Sequence, residues 1–80
     1  MNNNKNEYLT KDLGEAAAIF SQDVKIIRLE RDPSGFYWFV FPSEKSNELA
    51  NQYWTNDLQV SAKSYYDAMR TLKDRLFSRR

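Results

Sequence analysis

Residues 31–42 read RDPSGFYWFVFP, a turn signal followed at once by six apolar or aromatic residues without a charge among them. Asp32-Pro33-Ser34-Gly35 has the preferences of a type I turn. Asp suits its first position, Pro its second, and Gly a left-handed last position that forms a bulge. The flanking segments, Val24 to Glu30 and Phe36 to Phe41, are rich in β-branched and aromatic residues and so read as the two strands of a hairpin. With Pro33-Ser34-Gly35 as the loop, Asp32 pairs with Phe36, Arg31 with Tyr37, Glu30 with Trp38, Leu29 with Phe39, Arg28 with Val40 and Ile27 with Phe41. Residues directly opposite share a face. One face therefore collects Ile27, Leu29, Phe39 and Phe41, with Tyr37 and the Arg31 stem at its edge, and is the expected core face. The other collects Ile26, Arg28, Glu30, Phe36, Trp38 and Val40, a mixture of rings and charges.

Three helical segments surround the hairpin. Tyr8-Leu9-Thr10-Lys11-Asp12-Leu13 reads as a helix start with Thr10 as the cap, and the helix runs to about Ser21 with Leu13, Ala16, Ala17 and Phe20 on one side. Ser43 is placed to cap a second helix from Glu44 to about Thr55, ended by Asn56-Asp57. Ser61 caps the longest, about Ala62 to Ser78. There Tyr65, Met69, Leu72 and Leu76 form an apolar stripe, and Lys63, Asp67, Arg70 and Asp74 form a charge ladder opposite it. A second line, Tyr66, Arg70, Lys73 and Phe77, mixes two rings with two cations. An isolated two-stranded hairpin is marginal, so a third short strand is expected at Leu58-Gln59-Val60 or around Tyr8-Leu9. The expected fold is α+β, a small antiparallel sheet built on one hairpin with about three helices packed on one of its faces, in the order α-β-β-α-(short β)-α.

Eighty residues suit one domain, read as a polar tail over residues 1–7 and a compact unit over residues 8–80. With neither Cys nor His, disulfides and the usual zinc sites are excluded, and twelve aromatic residues must supply the core. The sequence contains no long apolar run and no basic-then-apolar leader, so a cytoplasmic location is expected and no membrane contact. Net charge is +1, but residues 61–80 hold six basic and two acidic groups, whereas the first sixty hold six basic and nine acidic ones. A basic C-terminal stretch suits an anionic partner and also complements the dipole of the last helix.

The landmarks YLTKDL before an alanine-rich helix, FVF in the second hairpin strand, QYW, LQV and the closing TLKDRLF resemble a family of small bacterial and phage proteins classed as a domain of unknown function. The resemblance spans roughly Tyr8 to Phe77. It rests on core and capping residues and implies domain boundaries, with no catalytic or ligand residue to carry over. One departure is Asn56, where the family often has Gly; Asn tolerates the left-handed conformation, so the turn is still expected.

The residue types leave little room for catalysis. The commonest general base and the thiol nucleophile are missing. Glu44 and Glu48 form a carboxylate pair at helical spacing, and they read as a solvated helix start. Ser61 sits near Lys63 but without a glycine-rich elbow to expose its hydroxyl. Gly14 and Gly35 are too far apart for a phosphate-cradling loop. We therefore expect no enzyme, no cofactor, no metal and no small-molecule substrate.

Two binding readings remain. The first is contact with single-stranded nucleic acid, rings stacking on bases and cations tracking phosphates, through Arg28, Phe36 and Trp38 on the second hairpin face with Lys63, Arg70, Lys73, Arg79 and Arg80. The second is protein association, including a homodimer, through the same hairpin face or the Tyr66, Lys73, Phe77 line, since interfaces are enriched in such residues. Both turn on what covers Trp38, and the C-terminal charge excess with the ring-and-cation line of the last helix narrowly favours nucleic acid, protein association being the alternative.

Overall fold

The computed structural model describes residues 6–78. Six elements follow one another: β1 (Glu7–Thr10), α1 (Leu13–Phe20), β2 (Arg28–Arg31), β3 (Tyr37–Pro42), α2 (Ser43–Trp54) and α3 (Ala62–Ser78). The order β-α-β-β-α-α replaces the expected α-β-β-α-β-α, within the α+β class foreseen. The sheet is antiparallel with strand order β1-β3-β2, so the uncharged run of β3 occupies its centre.

The hairpin has the register its turn dictates. Arg28 pairs with Val40, Leu29 with Phe39, Glu30 with Trp38 and Arg31 with Tyr37. Asp32 N donates to Phe36 O at 2.9 Å and Gly35 N to Asp32 O at 2.9 Å, with Gly35 at φ +95°, the left-handed conformation that suits glycine. The Asp32 carboxylate also takes the Ser34 and Phe36 amides at 2.9 and 3.0 Å, fixing the loop from within.

The alternation fails at Ile27. Its amide donates to Val40 O at 2.7 Å, although Val40 already faces Arg28. Two residues of one strand then oppose one of the other, which is the arrangement of a β-bulge. The side chains upstream change faces as a result. Ile27, expected in the core, is 46% exposed, and Ile26, expected on the other face, packs against the core.

β1 corrects a second expectation. Tyr8-Leu9-Thr10 is a strand and not a helix start, paired Tyr8 to Phe41, Leu9 to Val40 and Thr10 to Phe39, so the third strand stands at the second of its two expected places. Glu7, expected as the last residue of the tail, already belongs to it. The helix cap is Asp12, whose Oδ1 accepts from Glu15 N at 2.8 Å. Thr10 Oγ1 has another role, donating at 2.7 Å to the Glu15 carboxylate, which also accepts from the Tyr8 hydroxyl. Glu15 is buried, so these two donors from β1 fasten the strand to the first turn of α1.

With β1 in the sheet, Leu58-Gln59-Val60 is not a strand. It crosses from α2 to α3, and Leu58 and Val60 line a cleft with Ala18, Tyr53, Asn56 and Tyr65. α2 ends as its sequence suggests: Asn56 stands at φ 67°, its amide donates to Tyr53 O at 3.2 Å, and Asp57 N donates to Gln52 O at 2.8 Å. Ser43 is the first residue of α2 rather than its cap, and Pro42 holds the cap position without a side-chain bond. Ser61 caps α3, accepting from Ser64 N at 3.1 Å.

The core lies between the sheet and the helices. Ala16, Ala17, Ala18 and Ile19 of α1 are all buried, because α1 is packed by α2 and α3 as well as by the sheet. Small alanines allow that close approach on several sides. Phe39 and Phe41 from β3, Leu29 from β2, Ala50 from α2 and Ala68 and Leu72 from α3 complete the cluster, with Tyr65, Met69 and Leu76 of the expected α3 stripe against it. Each buried phenylalanine stabilises the domain by up to about 3 kcal/mol.

Candidate functional site, the open face of the sheet

Every core residue that the strands contribute comes from the Phe39 and Phe41 side, where the helices lie. The pairing sends Leu9, Trp38, Val40, Arg28 and Glu30 to the opposite side. Among the described residues no helix covers this face. Leu9 is 42% exposed, Ile27 46% and Phe36 56%, whereas Trp38 is half-buried and Val40, flanked by Leu9 and Arg28, is fully buried. The result is an apolar surface of Leu9, Ile27, Phe36 and Trp38, bordered on β2 by Arg28 and Glu30 and made by a fold that places its helices on one side only.

Charges border it in a set pattern. Arg28 forms a two-pronged bond with Glu7, Nη1 to Oε2 at 2.8 Å and Nη2 to Oε1 at 3.0 Å, and its Nη2 also donates to Glu30 Oε1 at 3.1 Å. That guanidinium holds the Glu7 carboxyl below its usual range, chiefly through the hydrogen bond, and the two carboxylates hold the Arg28 proton more tightly than usual. Trp38 Nε1 donates to Asp32 Oδ2 at 2.9 Å. This bond is the main reason the Asp32 carboxyl is held below its ordinary range, helped by the Phe36 and Ser34 amides and the positive charge of Lys11. Lys11 Nζ stands 4.6 Å from the centroid of Phe36 and 5.3 Å from that of Trp38, within cation–π reach of both.

The remaining expected contact residues lie on α3, on the helical side of the sheet. Tyr66 and Phe77 are 59% and 61% exposed, and the Arg70 guanidinium carbon is 5.9 Å from the Tyr66 ring centroid. Lys73 is exposed beside them. Lys63 is engaged by Asp67 at 2.9 Å, the i,i+4 pair that the charge ladder predicts. Arg79 and Arg80 lie outside the described residues. The structure therefore joins Arg28, Phe36 and Trp38 on one surface and Tyr66, Arg70, Lys73 and Phe77 on another. Leu9, Lys11 and Ile27 are the members of the sheet face that sequence reasoning missed. The first two needed β1 to be seen as a strand, and Ile27 needed the bulge.

Among the described residues no cluster of three or more Asp or Glu could hold a metal ion, and no helix is long and apolar enough to cross a membrane. What these features define is a small α+β domain that covers one face of a three-stranded sheet with three helices and leaves an aromatic, charge-bordered face open. The chain belongs to the DUF5659 family, described as a domain of unknown function, which matches residues 5–78. No curated protein and no solved structure matches the chain.

Proposed function

We propose that this domain is a non-catalytic association module that engages a protein partner through the open face of its sheet. The observation that carries the reading is the state of the charges there. Arg28 is matched by Glu7 and Glu30, and the Trp38 N–H is taken by Asp32, so the face offers rings and aliphatic groups bordered by charges that already have partners. A surface of that kind suits the apolar centre and polar rim of a protein interface. Phosphates gain little from a cation already held by two carboxylates, and three carboxylates close to the rings oppose a polyanion.

Exposed aromatic side chains at the centre of such a patch are the usual energetic anchors. Phe36 and Leu9 are the exposed anchors, and Trp38, half-buried and tied to Asp32, is the rigid one. The test is co-isolation from cells, after nuclease treatment, of the wild-type chain, a Leu9→Ser/Phe36→Ser variant and a Tyr66→Ser/Lys73→Ser variant. All four substituted residues are exposed, and circular dichroism of each variant checks that the fold is retained. A partner protein kept by the α3 variant and lost by the sheet variant is the expected result; the reverse pattern refutes the reading.

The exposed pairing of Arg70 with Tyr66, next to Lys73, supports a second reading, in which the flank of α3 contacts single-stranded nucleic acid. With three or four cations on phosphates, log K falls against log salt with a slope of roughly two to three, at ~0.7 per phosphate. An oligonucleotide titration showing weak, salt-independent binding removes it.

A further inference from the structure

Beside Trp38 the open face is indented. Leu9, Glu30, Arg31, Asp32, Pro33 and Trp38 line a shallow groove of ≈ 250 Å³, space for one side chain. We propose that this groove receives the cationic side chain of a partner segment, with arginine as the best fit. The inference rests on the reading that the sheet face is the contact surface, and it names the chemistry of what docks there.

The lining has two parts. Leu9, Pro33 and the Trp38 indole are apolar, whereas Glu30 and Asp32 bring carboxylates to the rim. Arg31 also lines the groove, but its guanidinium carbon is 6.0 Å from the Tyr37 centroid, on the helical side of the sheet. A long amphipathic side chain matches this division, laying its methylenes on Leu9 and Pro33 and carrying its charge to the carboxylates.

Charge selects the sign of the occupant. The lining itself carries two carboxylates, Glu30 and Asp32, against one cation, Arg31, whose guanidinium lies by Tyr37. Asp32 spends its oxygens on its own hairpin, but Glu30 receives a single bond, on Oε1 from Arg28, and its side chain is half exposed. A purely apolar occupant would strip water from that carboxylate without replacing it, and an anion would be repelled. The rings reinforce the choice. Lys11 already lies over Phe36 and Trp38, so their faces are turned toward a positive charge. Arginine surpasses lysine because its planar guanidinium stacks on an indole and offers paired donors to a carboxylate.

The experiment is a titration of the ¹⁵N-labelled full chain with N-acetyl-arginine methylamide and with the citrulline analogue, which has the same shape and no charge. A Trp54→Phe variant assigns the Trp38 indole resonance. Arginine is expected to move that resonance and the amides of Leu9 and Glu30, with a dissociation constant about tenfold below that of citrulline. Glu30→Gln should reduce the preference to about twofold, and Lys11→Gln, which removes a cation already competing for the rings, should tighten arginine binding about two- to threefold. Equal binding of citrulline overturns the inference while leaving the sheet face as a contact surface. Absence of shifts at these three positions also overturns it, and the sheet-face reading itself falls only if the Leu9→Ser/Phe36→Ser variant still retains its partner.

Discussion

The open face exists because β1 joins the sheet, and β1 is held there by a buried carboxylate. Glu15 is 4% exposed and accepts hydrogen bonds from the Tyr8 hydroxyl and from Thr10 Oγ1. Replacing Tyr8 by Phe keeps the ring and removes one donor. A hydrogen bond to a charged group contributes about 1.5–3 kcal/mol, and its loss leaves a carboxylate oxygen without water to replace the hydroxyl. For a domain of this size ~2 kcal/mol corresponds to a fall of roughly 8–16 °C in Tm. Urea and thermal unfolding followed by circular dichroism measure the cost directly. Glu15→Gln preserves shape, and because both changes act on one contact, the double variant should be less destabilised than the sum of the singles by about 1 kcal/mol. Singles that add to within ~0.5 kcal/mol, or a Tyr8→Phe protein that melts within ~2 °C of wild type, would refute the reasoning. The same contact has an alkaline signature. Burial, then the bond to Glu15, raises the Tyr8 pKa above its ordinary value. An unfolded tyrosine ionises near ~10, so this contribution is complete below that pH and is lost as pH rises toward the folded value. Tyr8→Phe should abolish that part of the alkaline decline.

Other consequences are open to the same assays. Ser46 is fully buried in α2 and its hydroxyl has no hydrogen-bond partner among the described residues. Ser46→Ala removes that desolvated group and improves helix propensity, so urea unfolding should show a gain of about 1 kcal/mol. Gly35→Ala puts a β-carbon on a residue at φ +95° and should cost roughly 1–2 kcal/mol in the same measurement, although the nearest side-chain atom, Arg31 Nη2, is 3.6 Å away. Glu7 and Asp32 are both held below the usual carboxylate range in the folded chain. Their contribution is therefore present above the unfolded value of ~4 and disappears as pH falls through the lower folded values; Tm should hold from pH 7 to ~5 and drop below ~4.

The hairpin was legible because several local signals agree. The residues of Asp32-Pro33-Ser34-Gly35 fix a turn, the turn fixes the register, and the alternation of β3 passes that check at Trp38, Phe39 and Val40. α3 was legible for a similar reason, since seventeen residues give its apolar stripe time to repeat. β1 was legible only as one of two places for a third strand, because four residues beside a polar start carry little periodicity, and Thr10 and Asp12 both look like caps. Only the tertiary partner, Glu15, separates their roles. The bulge at Ile27 was hidden as well. Val24 to Ile27 offers two isoleucines in succession, and which one faces the core depends on a single hydrogen bond to Val40. For the site, register and turn put Arg28, Phe36 and Trp38 on one face, and the helices were expected on a single face of the sheet, but whether one of them also covers Trp38 was left open. The observed packing comes from the small residues of α1, which let α2 and α3 gather around one helix and leave Trp38 with its own hairpin as cover.

The central claim is that partners meet this domain on the open sheet face. A photo-crosslinking phenylalanine derivative at Ile27, which is exposed on that face, tests it most directly when compared with the same group at Lys73 on α3. The expected result is a discrete, nuclease-resistant protein adduct from position 27 that vanishes in the Leu9→Ser/Phe36→Ser background. Adducts from position 73 alone, or adducts that nuclease removes, would contradict it.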